Sequence, residues 1–334
     1  MSDASLKILL SGASGLLGSA LRQSLAARNL AVLQLVRRPA ASAAELQWNP
    51  AAVPVTADPA PLENLTAAIH LSGSNVAAHR WTPAYKREMA SSRIDSTRAL
   101  ATTLASLRQP PRTLLVASAT GIYGNRGDEL LDENSTPGSG FLAELCQQWE
   151  AAARPALDAG IRVVPLRFGV VLGPSSASHP GALDKMLPIF RLGLGGPLGS
   201  GRQWMSWISL HDAVAAILFA LQTPFLAGPV NLTAPNPVTN AEFTRTLARH
   251  LHRPAFFAAP AFALRLALGE MADEALLSST RALPAKLTAA GFQFAHPTID
   301  LALAAAIAKR QPALSSRVRP EFVLTADKED GKHV

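Results

Sequence analysis

Three glycines near the start of the chain, Gly12, Gly15 and Gly18, stand three apart in SGASGLLG (11–18). They follow a short apolar run and open a segment of helical periodicity, the setting in which a glycine-rich turn receives a pyrophosphate. The first glycine permits a tight turn, the second lets the backbone approach phosphate oxygens, and the third lets helix and strand pack closely. The amides of Gly15, Leu16 and Leu17, with Ser14 beside them, are then expected to face the anion at the positive end of a helix dipole. A second chemical signal ends the next apolar run, LVRRP (35–39). Where an acidic residue would bind the ribose 2′-hydroxyl of NAD, the chain carries Arg37 and Arg38. A carboxylate repels a 2′-phosphate, whereas guanidiniums attract it and bind it bidentately. The pair predicts NADP(H) as the cofactor.

Such a cradle needs a strand before it and a helix after it. KILLS (7–11), AVLQLV (31–36), AAIHLS (67–72), TLLVAS (113–118) and IRVVPLRF (161–168) read as buried strands. Helical spacing lies between them at 16–28, 83–107 and 141–158. This alternation predicts an α/β fold with a Rossmann-type, doubly wound parallel sheet. After residue 173 the pattern changes. GPSSASHPG (173–181) and RLGLGGPLGSGR (191–202) read as long loops of the kind that cover binding sites. A helix near 211–222, a strand at 229–233 and a helix near 239–252 follow. Residues 254–307 read as mostly helical, punctuated by Pro254, Pro260, Pro284 and Pro297. The expected organisation is a cofactor-binding domain over 1–233 with substrate loops at 173–209, a smaller, mostly helical C-terminal region over 234–307, and a disordered tail over 308–334.

Composition narrows the class. The 334 residues are 48% hydrophobic and 16% charged, as in an ordinary globular protein. The net charge is +7 and the pI about 10.1. The arginines are scattered, without a basic helix or interleaved aromatics, so the charge reads as a solvated surface plus an anion-binding ligand site. A nucleic-acid partner is not expected. The lone cysteine, Cys146, allows no internal disulfide. The chain lacks a secretory pattern, and its longest apolar stretch is broken by Pro260 and Arg265. A cytoplasmic protein without membrane association is the expectation.

The chain resembles the extended short-chain dehydrogenase/reductases, the NAD-dependent epimerase/dehydratases. The matching pieces are SGASGLLG, HLSG (70–73), SATGIYG (118–124), LRFGVVLGP (166–174) and SWISLHD (206–212). Within that family it is similar to a sparsely characterised branch of epimerase-like oxidoreductases. The branch shares HRWTPAYKREMASSRIDSTRAL (79–100), FLAELCQQWEAAA (141–153) and the stretch 181–209, and has a small C-terminal domain of undefined function that 254–301 resembles. The resemblance implies that the backbone of Leu71, Ser72 and Gly73 approaches the adenosine ribose and linking phosphates. It places Ser74 and Arg80 close by, with Arg80 as a phosphate or cofactor contact, and brings Ser118 and Val170 toward the nicotinamide. Relatives are monomers or dimerise through the helices near 85–107 and 141–158, so a monomer or homodimer is expected.

Typical members move a proton with a Ser/Thr and a Tyr-x-x-x-Lys pair, the lysine lowering the tyrosine pKa. This chain has two tyrosines, Tyr85 and Tyr123, and four residues later stand Met89 and Gly127. The dyad positions fall on Phe141 and Leu145, one turn apart on one helix face, and the Ser/Thr position on Ala119. Thr120, as a hydrogen-bond donor to a carbonyl, and Tyr123, as a phenol acid/base, are the remaining catalytic candidates. Glu144 would serve only if desolvated; His70, His211 and Cys146 read as structural. The spacing shows no metal-ligand cluster, nucleophile elbow or P-loop. Two readings stand. One is an NADP(H)-dependent oxidoreductase or epimerase-like enzyme acting on an unidentified small molecule, with its pocket between the C-terminal sheet edge and the 173–209 loops. The other is a non-catalytic NADP(H)-binding sensor or regulatory protein.

Overall fold

The computed structural model describes residues 7–174 and 181–308. The expected tail from 309 onward, and residues 175–180 of the substrate loops, lie outside the described residues.

The first half of the chain builds one half of a sheet and crosses to the other. Strands β1 (Lys7–Ser11), β2 (Ala31–Val36), β3 (Glu45–Gln47), β4 (Ala67–His70) and β5 (Thr113–Ala119) alternate with α1 (Leu16–Ala26) and α2 (Pro83–Ala105). After a two-residue strand β6 (Leu130–Leu131) come α3 (Phe141–Ala151), α4 (Arg154–Asp158) and β7 (Arg162–Phe168). The periodicity predicts one helix over 141–158. Pro155 supplies no N–H to continue the ladder, so the helix breaks into two. Strand β8 (Val170–Leu172), α5 (Ala182–Arg191), β9 (Trp204–Met205), β10 (Trp207–Ser209), α6 (Leu210–Gln222) and β11 (Val230–Leu232) complete this region. The three-residue β3 was not evident from the sequence pattern, being too short to alternate.

Seven strands form a single parallel sheet in the order β11-β7-β5-β4-β1-β2-β3. Parallel strands covered on both faces must be apolar throughout, and β4 is buried at all four residues. One core layer packs Leu100, Leu104, Leu145 and Trp149 of α2 and α3 under Leu9, Leu114 and Val116. The opposite layer packs Leu21 and Leu25 of α1 and Ile217 of α6 against Ile8, Leu10 and Leu115. The strand order reverses between β1 and β4, so their C-terminal ends diverge and open a crevice.

The rest of the chain is β12 (Val238–Thr239), α7 (Asn240–Leu251), α8 (Ala261–Leu268), β13 (Arg281–Ala282), α9 (Ala285–Ala289) and α10 (Ile299–Ile307). Its own core joins Phe243 and Leu247 of α7 to Leu303 of α10, and extends onto Leu187 of α5 and Trp207 of β10. Two-residue strands tie it to the sheet region, β12 against β9 and β13 against β6. Among the described residues, no helix is long and apolar enough to cross a membrane.

Candidate functional site

The crevice at the reversal is a cleft of about 1130 Å³. Gly12, Ser14 and Gly15 line one wall, Leu71, Ser72, Gly73 and Ser74 the other, and Arg37 and Arg38 one end. Its glycines are there for space. Gly12 has φ +72°, and a Cβ on it would lie 2.7 Å from the Leu71 carbonyl carbon. A Cβ on Gly18 would fall 2.1 Å from the Gly12 oxygen, inside the strand–helix contact. Gly15 differs: its Cβ would meet only the Gly12 oxygen, at 3.5 Å. Its missing side chain leaves room on the cleft side. No acidic residue sits in the first turn of α1, so its positive end faces the cleft unopposed. These features fit a dinucleotide pyrophosphate.

Two details correct the expected cradle. The Gly15 N–H donates to the Gly12 carbonyl at 3.1 Å, closing the turn, and is not available to a phosphate. The first-turn amides that remain belong to Leu16 and Leu17, whose side chains turn into the protein: Leu17 packs on the core and Leu16 lies against Gly181. At the other end, Arg38 is not a free guanidinium. It forms a bidentate pair with Glu45 at 2.6 and 2.8 Å, and this hydrogen bond holds the Glu45 carboxyl down at about 2. Arg37 is exposed and pairs with no carboxylate of the described residues.

The cleft floor is polar and closed. His70, fully buried at the end of β4, meets Ser11 Oγ at 2.6 Å through Nδ1 and Ser96 Oγ at 3.2 Å through Nε2. Burial pushes its pKa down to about 4, so it is neutral and structural, as the sequence suggested.

Three other residues expected near the cofactor, Arg80, Ser118 and Val170, do not line this cleft. The Arg80 loop is turned by the Trp81 indole N–H donating to Val76 O at 2.8 Å, and Arg80 Nη1 donates to Leu266 O of α8 at 3.2 Å. Val170 is half-buried in β8, opposite Trp207. Ser118 is buried, and its hydroxyl donates to Glu150 Oε1 at 2.7 Å.

The face where family members carry the tyrosine and lysine is apolar. Leu145 is buried. Phe141 is half-buried, edge-on to Trp81 at 5.3 Å, with Lys86 Nζ 4.2 Å above its ring. Lys86 is in turn held by Glu270 at 2.8 and 2.9 Å. Glu274 accepts the Leu142 N–H at 3.1 Å, satisfying the positive end of α3. The C-terminal region thus closes over the dyad position. Sequence reasoning missed these contacts because the partners are 184 and 132 residues apart.

Tyr123 is sealed in the interior and not placed as an acid/base. It has no exposure. Its hydroxyl lies 2.8 Å from Asp132 O and 2.7 Å from Asn231 Oδ1 and accepts from Arg167 Nη1 at 3.0 Å. Burial raises its pKa, with Arg167 opposing. Arg167 makes a buried two-pronged pair with Glu150 at 2.8 and 2.9 Å. Burial works against its charge, yet the Glu150 carboxylate holds the guanidinium above its ordinary value. Thr120 starts the single turn after β5, is nearly buried, and makes no side-chain hydrogen bond among the described residues. Glu144 is exposed, and burial drives the Cys146 thiol up to about 12, leaving it inert.

The spacing gave no sign of a metal cluster, but folding brings the ligand atoms of His211, Asp212 and His296 within 4.8 Å of one another. Several of these atoms are already engaged. Asp212 accepts the N–H of Ala295 at 3.0 Å and of His296 at 2.9 Å, and His296 Nδ1 meets Ser209 Oγ at 2.9 Å. The cluster fastens the C-terminal region to the start of α6.

Known proteins agree with this architecture. Residues 8–232 match the NAD dependent epimerase/dehydratase family, and residues 259–306 match a domain of unknown function, DUF1731. The chain belongs to the NAD-dependent epimerase/dehydratase family. It is 49% identical over 296 residues to epimerase family protein Mb2239 of Mycobacterium bovis, covering 89% of this chain and 96% of that one. It is 35% identical over 307 residues to epimerase family protein SDR39U1 of Bos taurus, covering 91% and 100%. Human epimerase family protein SDR39U1 (isoform 2), crystallised with NADPH, superposes with a TM-score of 0.81 at 33% identity, over 90% of this chain and 99% of that one.

Proposed function

We propose that this family member is an NADP(H)-dependent oxidoreductase that reduces a carbonyl or activated alkene of a small molecule without a tyrosine–lysine relay. The observation that carries the reading is the cleft: glycine-walled, at the positive end of α1, with Arg37 at the ribose end. The human relative crystallised with NADPH supports it. NADPH, when bound, supplies the hydride. Arg37 binds the 2′-phosphate, and Arg38 adds charge from its pair with Glu45. The amides of Leu16 and Leu17 hold the pyrophosphate, and the 71–74 backbone supports the adenosine ribose and linking phosphates. Phe141, Leu145 and Trp81 exclude water beside the reacting centre. Thr120 orients the substrate oxygen, and water returns the proton. Sugar-nucleotide epimerisation needs a reversible base, and the Tyr123 phenol is sealed.

The satisfied Ser118–Glu150–Arg167–Tyr123 network favours one second reading, a non-catalytic NADP(H) sensor. NADPH fluorescence titration followed by a panel of carbonyl and enone substrates separates the two. Binding with turnover supports the oxidoreductase, binding without turnover on the whole panel supports the sensor, and absence of binding overturns both.

A further inference from the structure

Two arginines are buried among the described residues, Arg93 and Arg167. Arg167 has Glu150. Arg93, on α2, is 8% exposed; burial lowers its pKa, and no carboxylate of the described residues pairs with it. Half-buried Arg162 also pairs with no carboxylate of the described residues. It nevertheless donates to Thr113 Oγ1 and to four carbonyls, including Ala220 O and Leu221 O at the negative end of α6. Arg93 has less. Of its five N–H groups, Nη2 reaches Ser74 O at 2.8 Å, and Nη1 reaches Met89 O at 3.2 Å and Ser92 Oγ at 3.4 Å. Its guanidinium carbon lies 5.1 Å from the Trp149 ring centre and would be 3.2 Å from a Cβ on Gly73. Gly73, Ser74 and Ser92 all line the cleft. Among the described residues no carboxylate balances this cation, which stands directly behind the cleft wall, where desolvation makes its field long-ranged.

We propose that Arg93 is a positioning residue for the cofactor: it fixes the 71–74 backbone through Ser74 O, and its charge is compensated by the phosphates of bound NADP(H). This rests on the NADP(H) reading above. The test compares wild type, Arg93→Met and Arg93→Lys by NADPH fluorescence titration at low and high salt, with thermal melts of the unliganded proteins. Expected for Arg93→Met are an unliganded Tm at or above wild type, because a buried unbalanced charge is gone, NADPH affinity about tenfold or more weaker, and a shallower salt dependence. Arg93→Lys is expected to recover most of the affinity. If Arg93→Met does not fold, Arg93→Gln, which keeps an N–H for Ser74 O, replaces it. Affinity unchanged in both the neutral variant and Arg93→Lys overturns the proposal. So does an equal loss in both, which would leave a packing role only. Absence of NADPH binding by wild type overturns the cofactor reading instead.

Discussion

Two halves of one sheet edge differ in what their polar groups face. At β1, β2 and β4 the cleft leaves the α1 amides, the 71–74 backbone and Arg37 facing an opening. At β5, β7 and β11 the same edge is sealed: Ser118, Glu150, Arg167, Tyr123 and Asn231 satisfy one another in the interior. Groups left to solvent can exchange water for a ligand at little cost, whereas groups in a closed network must first break protein bonds. The first half leaves polar groups open to a ligand and the second uses them to hold the fold, though typical family members place proton transfer in the second.

Variants in the sealed half should cost stability and leave binding alone. Glu150→Ala strands the Arg167 charge and should destabilise by about 3–5 kcal/mol in urea melts, with the NADPH affinity of the folded fraction unchanged. A large affinity loss at intact stability would erase the contrast. Next is His70, at the end of β4 on the open half but itself closed in the interior beneath the cleft. Its folded pKa, about 4, lies below the ordinary 6.5. The stabilisation is therefore full above about pH 6.5 and lost as pH falls toward 4, on the order of 3 kcal/mol. Urea melts at pH 7 and 4.5 should show this drop in wild type and a smaller one in His70→Gln.

Variants in the open half should do the reverse. Arg37→Ala with Arg38→Ala should weaken NADPH roughly tens-fold while sparing NADH; equal losses would refute the 2′-phosphate site. Arg37→Ala alone should account for most of it, since Arg38 is shared with Glu45. Gly15→Ala should lower NADPH affinity about tenfold, with Tm nearly unchanged, because its Cβ meets ordinary contact distances in the protein. Smallest is Thr120→Val, just beyond β5 on the other half, which should leave NADPH binding within about threefold while slowing turnover. Faster turnover in that variant would remove Thr120 from the site.

Much of this was legible early because it is local. The strand–turn–helix around Gly12 and Gly18 is a short-range steric requirement, and the parallel strands announce themselves as apolar runs. Pairings across long separations were not legible. Nothing in RR at 37–38 shows that Glu45 takes one arginine, and nothing in QQWE at 147–150 shows that Glu150 meets Arg167. Tyr123 as a candidate failed for the same reason, since burial belongs to the neighbours a side chain acquires.

By itself, the sequence determined the fold class, the glycine turn and the absence of any Tyr-x-x-x-Lys, because each depends on residue type and spacing along the chain. Only the tertiary structure decided which charges are balanced. It gave Glu45 to Arg38, Glu150 to Arg167 and, among the described residues, no carboxylate to Arg93. Electrostatic energy depends on distance and desolvation, and neither exists until α2, α3 and the sheet are packed together.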